Sequence, residues 1–502
     1  MSLYIGQMSL RKLLSCTNCS ETYPLDIFMK ICPECNNNLM VVYNYEEVRE
    51  QLSKNKIESR KSGVWKYFEI LPLELRANIV SLGEGGTFIQ KCDRLAQELG
   101  IRKLYVKNET TNPSGSFIDR GMTVLISKAR EGKVKSTSCI PTGNLGASLA
   151  AYSARSGLKC TIFLSSKVDL GKLYQMIAYN AEILLEDSFK VAQLKIKRRH
   201  RKSLLVTPID PFFREGEKTL GFEICEQLDW ISPSRIIVPM GTGGVISMVW
   251  KGIQELTYID FINQGMTKMI GVQAEGCCPI VKAFKSGREK ATALKEAETI
   301  AVDIRVKDPS LSKMALKAIR ESKGSAIAVS DSEIVEATRS LANTEGIFAE
   351  PAAASTIAGL KRLIEDGGVD MDEEIVCIIT GAGLKDLSAA RKLISNRRRV
   401  KMLVYSAEGR GLTIKLGDTK MRILSILASG ELHGYGIWKR MRDDWSLKMS
   451  IPSVYQHLSE LEALSLVRKG EGYIVIGNRR RRDYSLTDKG GYTLNTLERL
   501  RI

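Results

Sequence analysis

Four cysteines near the N-terminus have the spacing of a metal site. They form two CxxC pairs, CTNC at 16–19 and CPEC at 32–35, with 12 residues between the pairs. Two such pairs bring four thiolates to one tetrahedral Zn²⁺, and the metal then stabilises a segment too short to build its own core. The spacing predicts a structural zinc ribbon over residues 1–45. A redox role is the disfavoured alternative, since redox CxxC motifs seldom occur doubled at this spacing. The predicted ligands are Cys16, Cys19, Cys32 and Cys35.

A glycine-rich loop, GTGG at 241–244, has the residue types of an anion-binding site. It follows the apolar run RIIVPM and precedes the helical pattern VISMVWKGIQEL. Glycines let backbone N–H groups close on a phosphate, and a helix N-terminus adds partial positive charge. Taken alone, the loop is equally consistent with an ordinary turn, so its function depends on its surroundings.

Positive charge is concentrated at the C-terminal end. Of the net charge of +17, residues 396–502 contribute +10, because they hold 21 Lys and Arg against 11 Asp and Glu. This asymmetry suggests a polyanion-binding end, but charge alone favours the alternative, a solvated basic surface.

Short apolar runs alternate with helical stretches between residues 81 and 395. Glycines punctuate the ends of the runs, which predicts an α/β fold with an open parallel sheet and ligands at the carboxyl ends of its strands. A connecting segment over 46–80 precedes this domain, and a basic, glycine-rich linker over 396–418 follows it. The runs are KLYVK at 103–107, KCTIFLS at 159–165, RIIVPM at 235–240, MIGVQA at 269–274 and IVCIIT at 375–380.

Residues 419–502 predict a compact domain of three helices and two β-runs. The helical stretches are KMRILSILASG, HGYGIWKRMRDDW and SIPSVYQHLSELEALSLV. In the third, Ser450 is the predicted N-cap, and an apolar stripe of Val454, Leu458, Leu461 and Leu464 faces a core. The β-runs GYIVI and RDYSL are joined through Gly477 and Asn478 and a run of four arginines.

Six motifs of the central domain occur in the order found in one enzyme family. They are SLGEGGT at 81–87, KNETTNPSGSFIDRGM at 107–122, TGNLGASLAAYSARSG at 142–157, VPMGTGG at 238–244, EPAAAS at 350–355 and TGAGLKD at 380–386. Together with the cysteine pairs, this stretch resembles threonine synthase, a pyridoxal-phosphate enzyme of the tryptophan-synthase β-subunit class. The resemblance implies a two-lobed core of pyridoxal-phosphate fold type II.

The resemblance also implies roles for individual residues. Asn144 is expected to bond the cofactor's phenolic oxygen, and the hydroxyl of Thr380 is expected to face its pyridine nitrogen. The phosphate is expected on the glycine loop, at Gly241, Thr242, Gly243 and Gly244. Ligand binding is expected at Ser116, Asp119, Arg120, Thr142 and Gly143.

Two positions depart from the family pattern. Ile118 stands where the family has the lysine that anchors the cofactor and moves the substrate's α-proton, and an isoleucine forms no Schiff base. Pro141 stands where a small hydroxyl residue is usual and removes a backbone donor. Lys107 and Lys385 are no substitutes for the lysine, because both belong to motifs in which the family has them already. Loss of a proton-transfer group alone costs about 10² to 10⁴ in rate.

The C-terminal domain resembles the PadR-like winged helix-turn-helix family. The residues that carry this are RILSILASGELHGYGIWKRM, SVYQHLSELEALSLV and RRRRDYSLTDKG. Ser453, Gln456 and His457 lie away from the apolar stripe and are expected to read base edges. Arg479, Arg480, Arg481 and Arg482 on the wing are expected to contact phosphates or a narrow minor groove. A winged helix that serves only for dimerisation is the alternative.

Two hypotheses for function follow. In the first, a catalytically inactive threonine synthase-like domain senses a small molecule (an amino acid, an amino-acid phosphate or non-covalently bound pyridoxal phosphate), and the chain regulates transcription as a homodimer on double-stranded DNA. In the second, an active pyridoxal-phosphate lyase carries an accessory DNA-binding domain. Either is expected in the cytoplasm: no apolar run approaches the roughly 20 residues of a membrane span, and the cysteines suit a reducing compartment.

Overall fold

The computed structural model divides the chain into two compact units, residues 1–390 and 391–502. It describes residues 12–140, 143–164, 169–186, 203–263, 265, 267–386, 416–447, 449–470, 474–476 and 479–499. Of the predicted linker over 396–418, residues 396–415 lie outside this part of the chain, as do Pro141 and Thr142. Helix formation from Asp418 shows that the linker ends one residue earlier than predicted.

The first unit begins with a small antiparallel sheet that carries the cysteine pairs. Its three strands pair in the order β2-β1-β3. Leu14, Leu39 and Val41 are fully buried and join the main hydrophobic core, so the small sheet packs on the larger domain. The strands are β1 Lys12–Cys16, β2 Thr22–Tyr23 and β3 Leu39–Tyr43.

A six-stranded sheet forms the centre of the first unit. Its order is β12-β11-β10-β13-β5-β4, and every pairing is parallel except that of the edge strand β4. Strand β10 is buried at every position, as expected where helices cover both faces of a parallel sheet. The strands are β4 Ile89–Lys91, β5 Lys103–Asn108, β10 Arg235–Pro239, β11 Lys268–Ala274, β12 Ser325–Val329 and β13 Glu374–Ile379.

A second, four-stranded parallel sheet has the order β8-β7-β6-β9. The two sheets give the central domain its two α/β layers, and one continuous apolar core includes residues from both. The strands are β6 Ser136–Cys139, β7 Lys159–Leu164, β8 Glu182–Leu185 and β9 Ser203–Val206.

Thirteen α-helices are described in the first unit. The longest ones cover the sheets with one apolar face, and several begin at a side-chain cap; Ser330 and Glu333, for example, form a capping box. The helices are α1 Tyr45–Gln51, α2 Lys54–Glu58, α3 Asp93–Leu99, α4 Ile118–Glu131, α5 Gly143–Ser156, α6 Leu170–Ala178, α7 Pro211–Glu217, α8 Thr219–Gln227, α9 Gly244–Tyr258, α10 Pro279–Lys285, α11 Ser312–Glu321, α12 Asp331–Glu345 and α13 Pro351–Glu365.

The second unit is a small helical domain with its own apolar core. A three-stranded antiparallel sheet, β14-β18-β15, and a separate β16-β17 hairpin accompany its helices. The helices are α14 Asp418–Ala428, α15 Gly434–Trp445, α16 Ile451–Ala463 and α17 Asp488–Arg499. The strands are β14 Leu432–His433, β15 Val467–Lys469, β16 Ile474–Ile476, β17 Arg479–Arg481 and β18 Asp483–Leu486.

The five predicted strands of the central domain are all present within a residue or two of their expected bounds. The three predicted C-terminal helices are also present, and Ser450 caps α16 by accepting a hydrogen bond from the Ser453 N–H. The arginine run is not a simple connection as expected, because three of its residues form strand β17. Among the described residues, no helix is long and apolar enough to span a membrane.

Candidate functional site

A cavity of about 100 Å³ lies where the carboxyl ends of the central strands meet the second sheet. The loops after β10 and β13 line one side, and the start of α5, which follows β6, lines the other. Crevices of this kind are the usual ligand sites of open α/β sheets. The predicted cavity residues that the structure brings together are Ser116, Asn144, Gly241, Thr242, Gly243, Gly244 and Thr380.

Ile118 contributes its side chain to this cavity from the first position of α4. The segment before it is held to the loop after β13, because the Phe117 N–H donates to the Thr380 carbonyl at 2.9 Å and the Ala382 N–H donates to the Gly115 carbonyl at 2.9 Å. The side chain of residue 118 is therefore fixed at the cavity wall, in contact with the main core.

The glycine loop leads directly into α9. Gly243 has φ 94°, in the left-handed region, and a Cβ there would lie 2.9 Å from the Cβ of Ala315, so only glycine fits. Gly244 and Val245 begin the helix and line the cavity. The unpaired N–H groups and partial positive charge of a helix start are thus available to a ligand there.

Three carboxyl side chains line the same cavity: Glu217 at the end of α7, Asp303 in a short 3-10 turn and Glu350 just before α13. Glu350 accepts hydrogen bonds from the Asn144 amide at 2.9 and 3.2 Å. Burial raises the pKa of Glu217 to about 8, against the lowering effect of nearby Arg214. The cavity is therefore acidic.

Lys172 forms ion pairs with two of these carboxyls. Its Nζ lies 2.6 Å from Asp303 and 3.0 Å from Glu350. Burial alone would lower the pKa of Lys172, but the two carboxylates raise it above its usual value. An ammonium held in this way is not a nucleophile, because only the neutral amine can attack a carbonyl group.

The other two lysines near the site lie outside the cavity lining. Lys107 donates to Glu223 at 2.8 Å, to Gln227 and to the Thr87 carbonyl. Lys385 donates to the Ser114 carbonyl and to Gln175. Among the described lining residues there is no lysine or arginine.

Asp119 and Arg120 were predicted to bind ligand, and the structure places both in buried networks away from the cavity. Arg120 is fully buried, with Nε 2.6 Å from Glu109 and Nη2 2.7 Å from Glu223. Asp119 accepts hydrogen bonds from the Ser114 backbone and from the hydroxyls of Ser114 and Ser148. The hydrogen bonds of both side chains stabilise the start of α4.

Of the remaining predicted ligand contacts, Gly143 begins α5 and is absent from the cavity lining. A Cβ at Gly143 would lie 2.3 Å from the Lys172 side chain, so glycine is needed there for packing. Thr142 lies outside the described residues.

The four N-terminal cysteines converge as the spacing predicts. Their ligand atoms all lie within 4.8 Å of one another, and the Sγ–Sγ distances include 3.3 Å for Cys16 and Cys35 and 3.6 Å for Cys19 and Cys32. A tetrahedral site with metal–sulfur bonds of about 2.3 Å requires separations of roughly this size. The cluster is therefore a candidate metal centre.

In the second unit, α16 buries Val454, Leu458 and Leu461 in the core. The three residues predicted to read bases lie on the other faces of this helix. Gln456 is exposed and donates to Glu460 at 3.2 Å, while Ser453 and His457 are half-buried.

The hairpin β16-β17 carries three of the four predicted wing arginines. Ile474 pairs with Arg481, Val475 with Arg480 and Ile476 with Arg479. The Arg481 guanidinium lies 4.4 Å from the centre of the Tyr435 ring on α15, within cation–π distance. Arg482 follows the hairpin directly.

A two-sheet α/β unit with a glycine loop and a helix start at its central crevice is the architecture of pyridoxal-phosphate enzymes of fold type II. Residues 80–381 match the family described as pyridoxal-phosphate dependent enzyme, and residues 423–496 match the transcriptional regulator PadR-like family. The chain belongs to the pyridoxal-phosphate dependent enzyme family and carries a C-terminal PadR-like domain.

Curated relatives place the chain among proteins similar to threonine synthases. The threonine synthase of Methanocaldococcus jannaschii is 49% identical over 382 residues, which cover 75% of this chain and 94% of that protein. The threonine synthase of Methanosarcina acetivorans is 43% identical over 377 residues, covering 74% and 92%.

Solved structures agree on the fold. The L-serine ammonia-lyase of Rhizomucor miehei superposes with a TM-score of 0.54 at 20% identity, covering 62% of this chain and 98% of that one. The processed form of threonine deaminase isoform 2 from Solanum lycopersicum gives 0.53 at 21% identity, covering 62% and 82%.

Pyridoxal phosphate, which the family implies, does not fit this cavity as a covalently anchored cofactor. The described lining offers no lysine amine, and Ile118 presents only hydrocarbon. A carboxyl group also lies beside the glycine loop, since a Cβ at Gly244 would lie 3.2 Å from Oε2 of Glu217. No chemical step is therefore assigned to the cofactor in this chain.

The acidic character of the cavity was not predicted from the sequence. Glu217, Asp303 and Glu350 come from three separate elements, so no local spacing connects them. Only Glu350 lies in a motif, EPAAAS, and nothing in that motif indicates that it faces a ligand.

Proposed function

We propose that the chain is a ligand-responsive transcription regulator, in which a threonine synthase-like domain binds a small amino-acid-related molecule without turning it over. The observation that carries this proposal is the combination of Ile118 at the cavity wall with a PadR-like domain in the same chain. A cavity that keeps its glycine loop and loses its amine is suited to binding rather than to covalent catalysis.

The winged helix is the proposed DNA-binding element. Ser453, Gln456 and His457 read base edges from α16, and the wing arginines contact phosphates. A homodimer presents two such helices to two half-sites. The ligand acts by binding DNA-competent and DNA-incompetent states with different affinity, because no other kind of ligand shifts such an equilibrium.

The four N-terminal cysteines hold a structural zinc ion in this proposal. The support is their spacing and the short separations of their sulfur atoms. Four thiolate ligands close the coordination shell and leave no position for catalysis. Measurement of the zinc content of the purified chain, before and after chelation, tests this assignment.

Selection of genomic DNA by the full chain tests the regulator function. We expect fragments to bind with nanomolar Kd in moderate salt, far more tightly than random DNA, and an amino-acid-related ligand to change that Kd at least about fivefold. Gln456→Ala should lose the preference for the selected fragments, and Lys317→Ala, an exposed change in the first unit, should retain it. Equal binding of selected and random DNA would remove the proposal.

An active lyase is the second candidate, because the curated relatives are named threonine synthase. It predicts an adduct with pyridoxal phosphate that borohydride reduces, together with turnover of O-phosphohomoserine. The ion pairs of Lys172 with Asp303 and Glu350 weigh against a substitute amine. Neither an adduct nor turnover is expected from the wild-type chain.

A further inference from the structure

A carboxyl side chain lies beside the glycine loop. Glu217 lines the cavity beside the first turn of α9, and its Oε2 lies 3.2 Å from where a Cβ of Gly244 would be. An ionised phosphate at the glycine loop and an ionised Glu217 would repel each other at close range, where little water screens the charges. While Glu217 is ionised, the retained glycine loop is therefore not sufficient for a phosphate site.

The remaining lining charges have the same sign. Asp303 and Glu350 also face the cavity, and no cation does so among the described lining residues. Lys172 neutralises part of this charge through its ion pairs with Asp303 and Glu350, but it forms no ion pair with Glu217. A buried acidic cavity attracts a positive group.

Two buried acceptor atoms in the lining have no hydrogen-bond donor. They are Oε2 of Glu217 and Oδ1 of Asn144, on side chains that are 4% and 6% exposed. Asn144 already donates through its amide nitrogen to Glu350, which leaves its oxygen for another group. Buried acceptors are almost always satisfied, so both atoms point to a ligand that brings donors.

We propose that the cavity binds a small unphosphorylated amino acid, whose ammonium group donates to Glu217 and to the Oδ1 of Asn144, and that it rejects phosphate esters, pyridoxal phosphate included. The hydroxyls of Ser116 and Thr380 remain for the ligand carboxylate. This inference rests on the proposed function in that it names the ligand class of the same sensor.

Ammonium binding is linked to proton release from Glu217. Since burial raises the pKa of this carboxyl to about 8, against the effect of Arg214, it is mainly protonated in the empty cavity at neutral pH. An ammonium ligand favours the ionised form and displaces the proton. Affinity for an amino acid should therefore rise with pH, about tenfold between pH 6.5 and pH 8. A phosphate ester would show the opposite trend.

Glu350 contributes to the same linkage. Burial and Asp303 raise its pKa to about 7, against the lowering effects of Lys172 and Lys385. Its ionisation over the same range also favours a cation in the cavity, so the two carboxyls act in one direction.

Calorimetric titration of the full chain with L-threonine and with O-phospho-L-threonine tests the inference. The two probes share the ammonium and carboxylate and differ only in the phosphate. We expect the wild-type chain to bind L-threonine at least about tenfold more tightly than O-phospho-L-threonine. The Glu217→Gln substitution should weaken the binding of L-threonine about tenfold and strengthen the binding of O-phospho-L-threonine. Glu336→Gln, which removes an exposed carboxyl outside the cavity, should change neither.

The inference is overturned if the phosphate ester or pyridoxal phosphate binds more tightly than L-threonine. It is also overturned if none of the unphosphorylated amino acids tested binds with a Kd in the millimolar range or below. If the Glu217→Gln variant does not fold, the pH dependence of amino-acid binding by the wild-type chain tests the inference. An affinity for the amino acid that falls from pH 6.5 to pH 8 would contradict the inference. If the Kd for selected DNA is the same with and without a bound amino acid, the proposed function is refuted, whereas this inference is unaffected.

Discussion

At the scale of single residues, our proposal depends on position 118, where an isoleucine lines the cavity. Ile118 is fixed at the cavity wall by hydrogen bonds of its neighbours to the loop after β13, so a side chain placed there has little freedom to turn away. The sequence located this residue correctly on the cavity, because it lies within a motif. It did not reveal Glu217, which no motif marks.

Ile118→Lys should restore covalent capture. The new amine would enter the cavity from the first turn of α4, where an aldehyde can form a Schiff base with it. With pyridoxal, which lacks the phosphate that Glu217 opposes, we expect a Schiff-base absorption band that borohydride traps permanently, and mass spectrometry should place the adduct on residue 118. Ile118→Met, of similar length but without an amine, should give none. A trapped adduct on the wild-type chain would contradict the assignment.

At the scale of elements, α7 connects the cavity to the small N-terminal sheet. Its end supplies Glu217 to the cavity, its middle accepts a hydrogen bond from Tyr43 to Glu215 at 2.7 Å, and Asp210 caps its start by accepting from the Phe212 N–H. The strands that position the cavity could be predicted from their apolar runs. Helix α7 could not, because its seven residues are too few for an amphipathic period to be recognised.

Close packing of α7 against α4 depends on Gly216. A Cβ at this position would lie 1.8 Å from the Arg120 carbonyl oxygen, which belongs to the backbone and cannot turn aside. Gly216→Ala should therefore lower the free energy of unfolding by about 3 kcal/mol or more. Gly132→Ala, where the nearest atom lies 3.3 Å away and φ is −76°, should cost much less. Denaturant unfolding of both variants measures the difference, and equal midpoints would show that α7 can move.

At the scale of the whole molecule, the chain joins a domain of the pyridoxal-phosphate dependent enzyme family to a PadR-like domain. The family matches over 80–381 and 423–496 account for both parts, and the motifs identified both from sequence alone. Charge follows the same division, since 21 basic and 11 acidic residues lie from residue 396 onward. In our proposal the acidic cavity and the basic C-terminal end therefore bind opposite kinds of ligand, a small cation-bearing molecule and a polyanion.

Salt dependence of DNA binding follows from that charge distribution. Four wing arginines in each copy of a dimer allow up to eight phosphate contacts, so affinity should fall by about 10³ to 10⁵ between about 50 and 200 mM salt. Arg480→Ala should reduce the slope of log K against log salt by about one for each copy, because one phosphate contact is lost. Lys317→Ala carries the same charge change on an exposed residue of the first unit and should leave the slope unaltered. Fluorescence anisotropy at a series of salt concentrations gives the three slopes, and an unchanged slope for Arg480→Ala would place the DNA away from the wing.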